Sequence, residues 1–207
     1  VMGLVFGKIT VETPKFEVLA SSADYEIRKY PPAVAAEVTY DPAGMGGDRD
    51  GGFTLLANYI GALGEAQNVK PEKIAMTAPV ITKSSQGEKI AMTAPVVTKG
   101  AGGGEGEEGK RTVTMQFLLP AKYRTPEEAP APTDHRVVVK GEGERKYAAV
   151  KFAGRATEAV AAQKAEELRK MMERDGHKVT GEFLLARYNP PWTLPPLRTN
   201  EILMPVE

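Results

Sequence analysis

The 207-residue chain contains no cysteine. That excludes disulfides, thiolate ligation of a metal and a cysteine nucleophile, and it fits a cytoplasmic protein, since disulfides belong to oxidising compartments. Histidine is nearly as scarce. His135 and His177 are the only two, and they stand far from any metal-ligand spacing. HExxH, Gly-x-Ser-x-Gly and Walker sequences are all missing. Gly102-Gly103-Gly104-Glu105-Gly106 is not a phosphate loop, because no Lys-Ser or Lys-Thr follows it and no apolar strand leads into it. Neither sign of charge prevails. With 27 basic and 27 acidic residues, no global field draws the chain to nucleic acid or to an anionic membrane. No apolar run approaches the roughly 20 residues that span a bilayer. The first residues, Val1-Met2-Gly3-Leu4, lack a basic region and are not expected to form a secretory signal. What remains is 42% hydrophobic and 26% charged, the balance of a globular chain long enough to bury a substantial core.

The most informative feature is a repeat. Glu72–Lys83 reads EKIAMTAPVITK and Glu88–Lys99 reads EKIAMTAPVVTK, differing only at Ile81 and Val97. Ile74, Met76, Ala78 and Val80 alternate with Ala75, Thr77, Pro79 and Ile81, which is the period of a strand. Ser84-Ser85-Gln86-Gly87 between the copies is turn chemistry. Residues 72–99 are therefore expected to form a duplicated β-hairpin arm. Pro79 and Pro95 cannot donate to a ladder, which points to edge positions or bulges.

Along the chain, Phe16–Leu19, Tyr25–Tyr30 and Ala33–Tyr40 read as strands, and Asp41–Gly52 as a loop. Phe53–Leu63 is predicted helical, with Phe53, Leu56, Ala57 and Ile60 on one face. That stripe either packs on a sheet or lines a ligand wall. Glycine-rich residues 100–110 read as a flexible loop. Thr112–Leu119 is a strand and the proline-rich Tyr123–Asp134 an extended loop. Arg136–Lys140 and Lys146–Phe152 are strands joined by a Gly141–Gly143 turn. Thr157–Asp175 is a second helix, with Thr157 as N-cap and Gly176 as stop. Val179–Arg187 and Glu201–Val206 are strands flanking a proline-rich loop. Strands, helix, strands occur twice, which argues for an α+β fold of two pseudo-repeated halves. Residues 1–207 are expected to form one domain, because either half alone would leave sheet edges unpaired.

The Met-Thr-Ala-Pro-Val core of the repeat resembles the signature of the SOUL haem-binding family. Further matches follow in order: Val11-Glu12-Thr13-Pro14, Tyr25-Glu26-Ile27-Arg28, Gly52 through Gly61, Met115-Gln116-Phe117-Leu118-Leu119-Pro120, Ala131-Pro132-Thr133-Asp134, Tyr188-Asn189-Pro190-Pro191-Trp192 and Arg198-Thr199-Asn200-Glu201-Ile202. The repeated units are similar to those of plant and green-algal cytosolic members. The resemblance implies a distorted antiparallel β-barrel flanked by two α-helices. It also implies a hydrophobic cleft for haem b or protoporphyrin IX between the first helix and the loop before the last strand. On this chain the cleft residues would be Phe53, Leu56, Ala57 and Ile60, facing Trp192, Thr193 and Leu194.

A tetrapyrrole is a flat apolar disc with two carboxylates at one edge, so its site needs an apolar wall and cations near the mouth. Trp192, the only tryptophan, is held between prolines and offers an aromatic face at low entropic cost. Arg198 is the first choice for a propionate partner, followed by Arg49 and Arg187. Candidate iron ligands are His135, His177, Met76 and Met92, with Tyr59 and Tyr188 behind them. The helix Phe53–Leu63 carries no basic residue, so a solvent-facing carboxylate edge and similar affinity for haem and iron-free protoporphyrin are expected. The leading expectation is a monomeric, non-catalytic carrier or buffer of tetrapyrroles, with a haem-metabolism protein as candidate partner. The alternatives are an enzyme that opens the ring or removes the metal, and an interaction module that docks a partner on the repeated arm by strand addition.

Overall fold

The computed structural model describes residues 7–41, 51–85, 112–190 and 192–207. Among the described residues, nine strands and two helices follow one another as β1 (Glu17–Ser21), β2 (Glu26–Tyr30), β3 (Ala33–Tyr40), α1 (Gly51–Ile60), β4 (Val80–Ser85), β5 (Thr112–Leu118), β6 (Val138–Glu142), β7 (Arg145–Ala153), α2 (Glu158–Arg174), β8 (Leu184–Arg187) and β9 (Thr199–Pro205). Short 3-10 turns occupy Pro126–Glu128 and Pro195–Leu197.

All nine strands form one antiparallel sheet in the order β1-β2-β7-β9-β8-β4-β5-β3-β6, curled into a half-barrel. The order has an internal symmetry. β4-β5-β3 in the first half corresponds to β8-β9-β7 in the second, and the two meet where β4 pairs with β8. Strands β2 and β6 are exchanged, and β1 pairs with β2 at the end of the sheet. β2 pairs with β7 of the second half, and β6 pairs with β3 of the first. β2 and β6 thus each satisfy backbone groups of the other half, which would otherwise be an exposed edge.

Both helices cover one face of the sheet. Leu56, Ala57, Tyr59 and Ile60 of α1 pack with Val34, Ala36, Met115 and Phe117 of β3 and β5. Ala161, Ala165, Leu168 and Met172 of α2 pack with Ala148, Leu185, Ile202 and Met204. These positions repeat at the 3.6-residue period in the helices and at two in the strands. Leu56 is fully buried, worth about 2–5 kcal/mol on replacement by alanine. Gly52 lets α1 approach this closely, since a Cβ there would lie 2.5 Å from the Tyr40 ring. α2 begins and ends where its sequence signals say. The Thr157 hydroxyl accepts from the Val160 N–H, and Gly176 leaves the helix at φ +77°. The alternate strand residues, Ala35, Ile81, Leu118, Ala149, Leu184, Ala186 and Leu203, form a third cluster on the helix-free face.

Of the repeat's first copy, Val80–Lys83 belong to the strand Val80–Ser85. Pro79 does not mark an edge. It precedes β4, which lies inside the sheet with β8 on one side and β5 on the other, so proline's missing donor falls before the ladder starts. The second copy, with Pro95 and Met92, lies outside the described residues, as do Arg49 and residues 100–110. Other boundaries shift. Gly141 belongs to β6 rather than to a turn, β8 starts at Leu184, with Val179 contributing only an isolated bridge to Val206, and the Tyr123–Asp134 loop contains a 3-10 turn.

Candidate functional site

The sheet register builds a row of residues across the helix-covered face. Ala36 pairs with Phe117, Phe117 with Val80, Val80 with Arg187, Arg187 with Asn200, and Asn200 with Phe152. Phe117 and Ala36 lie under α1, and Phe152 packs with the α2 cluster. Val80, Arg187 and Asn200 therefore occupy the seam between the helices. Phe53 closes one side, its ring edge-on to Phe117 with centroids 5.4 Å apart. The chain leaving Arg187 runs through Trp192–Arg198 and returns into β9.

The predicted residues fall into two groups. Leu56, Ala57 and Ile60 are at most 2% exposed and belong to the α1 core, whereas Phe53 is only partly buried. In the loop, Thr193 is buried, while Trp192 is 61% and Leu194 48% exposed, with Leu197 exposed beside them. Arg198 Nε donates to the Thr193 carbonyl at 2.8 Å and braces this loop. Arg187 donates to Thr82 Oγ1 at 3.0 Å and to the Ala156 carbonyl at 3.4 Å, so its guanidinium spans from β4 to the start of α2. The Asn189 amide donates to the Gly7 carbonyl at 3.1 Å, and its oxygen accepts the Thr199 N–H at 2.6 Å.

The candidate iron ligands do not converge. His135 is exposed, His177 stands edge-on to Tyr25 at 6.2 Å, and Met76 is 36% exposed on the segment before β4. Tyr59 donates its hydroxyl to the Pro130 carbonyl at 2.8 Å, and burial pushes its pKa up to about 12. Among the described residues no group of three or more His, Cys, Asp and Glu could hold a metal ion.

The helix-free face carries polar chemistry that the sequence reading missed. Arg28 Nη1 lies 2.9 Å from Glu201 Oε1 and Nε lies 2.7 Å from Glu26. Tyr188 donates to Glu201 at 2.6 Å, and Phe16 covers the Arg28 guanidinium at 4.3 Å. Burial and then the Glu201 charge push the Tyr188 hydroxyl well above its ordinary value. Burial works against the Arg28 charge, but Tyr30, Glu201 and Glu26 together raise its pKa further. The signal was present as Glu201 inside the run Asn200-Glu201-Ile202-Leu203-Met204, a charge where a buried strand should be apolar. A cavity of ≈ 540 Å³ opens where β2 passes into β3 and β5 ends, with Lys15, Arg124 and Arg145 among its lining. None of the eight predicted tetrapyrrole residues lines it, nor the adjoining void of ≈ 30 Å³.

A family model described as SOUL heme-binding protein matches residues 11–88 and again 82–205, the two matches overlapping between the copies of the repeat. No curated protein matches. Among solved structures, the EcmrR C-terminal domain aligns with a TM-score of 0.54 at 14% identity, covering 88% of this chain and 98% of that one. A Listeria innocua protein described as a hydrolase aligns at 0.53 and 16% identity, covering 91% and 94%. An uncharacterized conserved Listeria innocua protein aligns at 0.55 and 15%, with the same coverage. At these identities the likeness is one of fold. Among the described residues no helix is long and apolar enough to cross a membrane.

Proposed function

The chain belongs to the SOUL heme-binding protein family, and from that premise we propose that it binds haem b or protoporphyrin IX reversibly and without chemical turnover, one ligand per monomer, in the seam between α1 and Trp192–Arg198. The observation that carries this reading is the juxtaposition along the sheet register. An aromatic pair, Phe53 and Phe117, stands on one side of Val80, and the guanidinium of Arg187 on the other. Exposed Trp192, Leu194 and Leu197 supply apolar surface next to Arg198.

A porphyrin face would lie on the apolar part of the seam with Trp192 stacked against it. Its carboxylates would meet Arg198, and Arg187 beneath. Leu56, Ala57 and Ile60 would support the wall from behind rather than touch the ligand while α1 stays on the sheet. Affinity would then come from apolar contact and ion pairing, and release would require no strong iron bond to break. A carrier in the cytoplasm gains from that arrangement, and the cysteine-free composition supports a reducing compartment.

The test is a titration of the purified chain with haemin and separately with protoporphyrin IX, following Soret absorbance and Trp192 fluorescence. Saturable one-to-one binding of both ligands with tryptophan quenching is the expected result. Binding of haemin alone would mean that iron ligation dominates and would return attention to His135, His177 and Met76. Progressive loss of the Soret band under reductant and oxygen would make the protein an enzyme, and no saturable binding of either would sink the proposal.

A further inference from the structure

The ≈ 540 Å³ cavity beside the β2–β3 turn shares no residue with the tetrapyrrole seam. We propose that it is a second ligand site, for a small amphiphile that carries one anionic group, carboxylate, sulfonate or phosphate, on an apolar body. Its size falls in the range of small-molecule pockets, about 300–1,000 Å³. Its charges are asymmetric. Lys15, Arg124 and Arg145 line it against the single carboxylate of Glu12, which is already engaged by the Ala121 N–H at 2.9 Å.

Arg145 gives the site its direction. Its Nη2 donates to the Pro31 carbonyl at 3.0 Å, which anchors the guanidinium, while Nη1 is buried and has no hydrogen-bond partner. A buried donor left unmade is costly, so a position facing a cavity with a donor to spare is a position built for an acceptor. Guanidinium and carboxylate or phosphate match in geometry as well as in charge. Pro31 and Pro32 form a stiff wall, and Leu118 and Leu119 supply apolar surface. A stiff wall loses little freedom when a ligand arrives. Lys15 and Arg124 are exposed at the rim, where they attract an anion without taking part in the core.

The experiment is calorimetric titration of the full chain with three probes of one shape: 2-naphthoate, 2-naphthylmethanol and 2-naphthylmethylammonium. The naphthoate is expected to bind at least about tenfold more tightly than the ammonium. The rim variant Lys15→Glu/Arg124→Glu should weaken naphthoate about tenfold while leaving the alcohol within about twofold. Arg145→Gln should weaken naphthoate about tenfold, the scale of one hydrogen bond to a charged group. If that variant fails to fold, the rim variant carries the test alone. Equal binding of anion and cation, or naphthoate affinity unmoved by the rim variant, overturns the proposal. Haemin titration of the rim variant separates the two sites. Unchanged haemin affinity is expected, and a parallel loss would mean one site rather than two. Naphthoate binding in a protein that fails to bind haemin would leave this site standing and remove only the tetrapyrrole reading.

Discussion

Arg28 on β2 and Glu201 on β9 form an ion pair 2.9 Å long across the strand that separates them, β7, with side chains only 9% and 6% exposed. Such a pair is expensive to break from one side, because the surviving charge stays buried. Glu201→Leu should destabilise by about 3 kcal/mol, the lower end of the range for buried pairs, since Arg28 keeps Glu26 at 2.7 Å. The double variant Arg28→Met/Glu201→Leu should recover most of that loss. Urea unfolding checks both, as a lowered midpoint at constant slope for the single variant. A loss under about 0.5 kcal/mol would show that the pair contributes nothing measurable to the fold, as for many exposed pairs.

Acid sensitivity should come partly from Asp134. Hydrogen bonds from the Arg136 side chain at 2.6 and 3.0 Å, and from its backbone N–H at 2.9 Å, hold this carboxyl at about 2. A depressed folded value gives stability that is present above the unfolded value near 4 and disappears as pH falls through about 2. Arg136 is half exposed, so the contribution is at most about 1 kcal/mol. The difference in melting temperature between wild type and Asp134→Asn should be largest above pH 4 and close up by pH 2. A constant difference across that window would refute the assignment.

At the alkaline end, Tyr59 works in the opposite sense. Burial first, then the Tyr123 and Glu72 charges, raise its hydroxyl to about 12. A raised folded value gives stability that is complete below the unfolded value near 10 and is lost as pH rises through about 12. Tyr59→Phe should cost about 1 kcal/mol at neutral pH, through the lost bond to the Pro130 carbonyl. It should also flatten the fall in stability between pH 10 and pH 12. An unaltered alkaline limb would assign that fall to another group.

One of the two repeats should be dispensable. β4 already uses both edges, Val80–Lys83 against β8 and Val80–Ser85 against β5. Removing residues 86–101, one full period, leaves those pairings intact. Changing a connection's length by itself costs only about 0.6 kcal/mol per doubling, so the melting temperature should move by less than about 4 °C. Haemin binding should be unchanged. A chain that no longer folds would mean that the second copy contributes an essential part of the structure.

Much of this was legible beforehand, and the failures have physical causes. Thr157 and Gly176 act as cap and stop because each works within a few residues of itself. The stripe Phe53, Leu56, Ala57 and Ile60 was legible as a face, yet sequence could not distinguish a core from a ligand wall, since both ask for apolar side chains. The structure buries the last three completely. Pro79 was misread as a sheet-edge marker because proline forbids a donor at one position only, and β4 starts one residue later. Glu201 announced itself as a charge in an apolar run, but its partner lies 173 residues away. Nor did any local pattern announce the cavity of Lys15, Arg124 and Arg145, which assembles from five separate stretches of chain.

Composition and periodicity by themselves determined the two helices, an α+β arrangement in two similar halves, and the absence of thiol chemistry. These follow from interactions between near neighbours in the chain, or from a simple count. Only the tertiary structure decided that β2 and β6 change places between the halves, that the last four residues of the first repeat sit inside the sheet, and that Arg187 comes to lie between the helices. Backbone hydrogen bonds are the same for any pair of strands. Which strands pair, and in which register, is therefore settled by how the side chains of the whole sheet pack together.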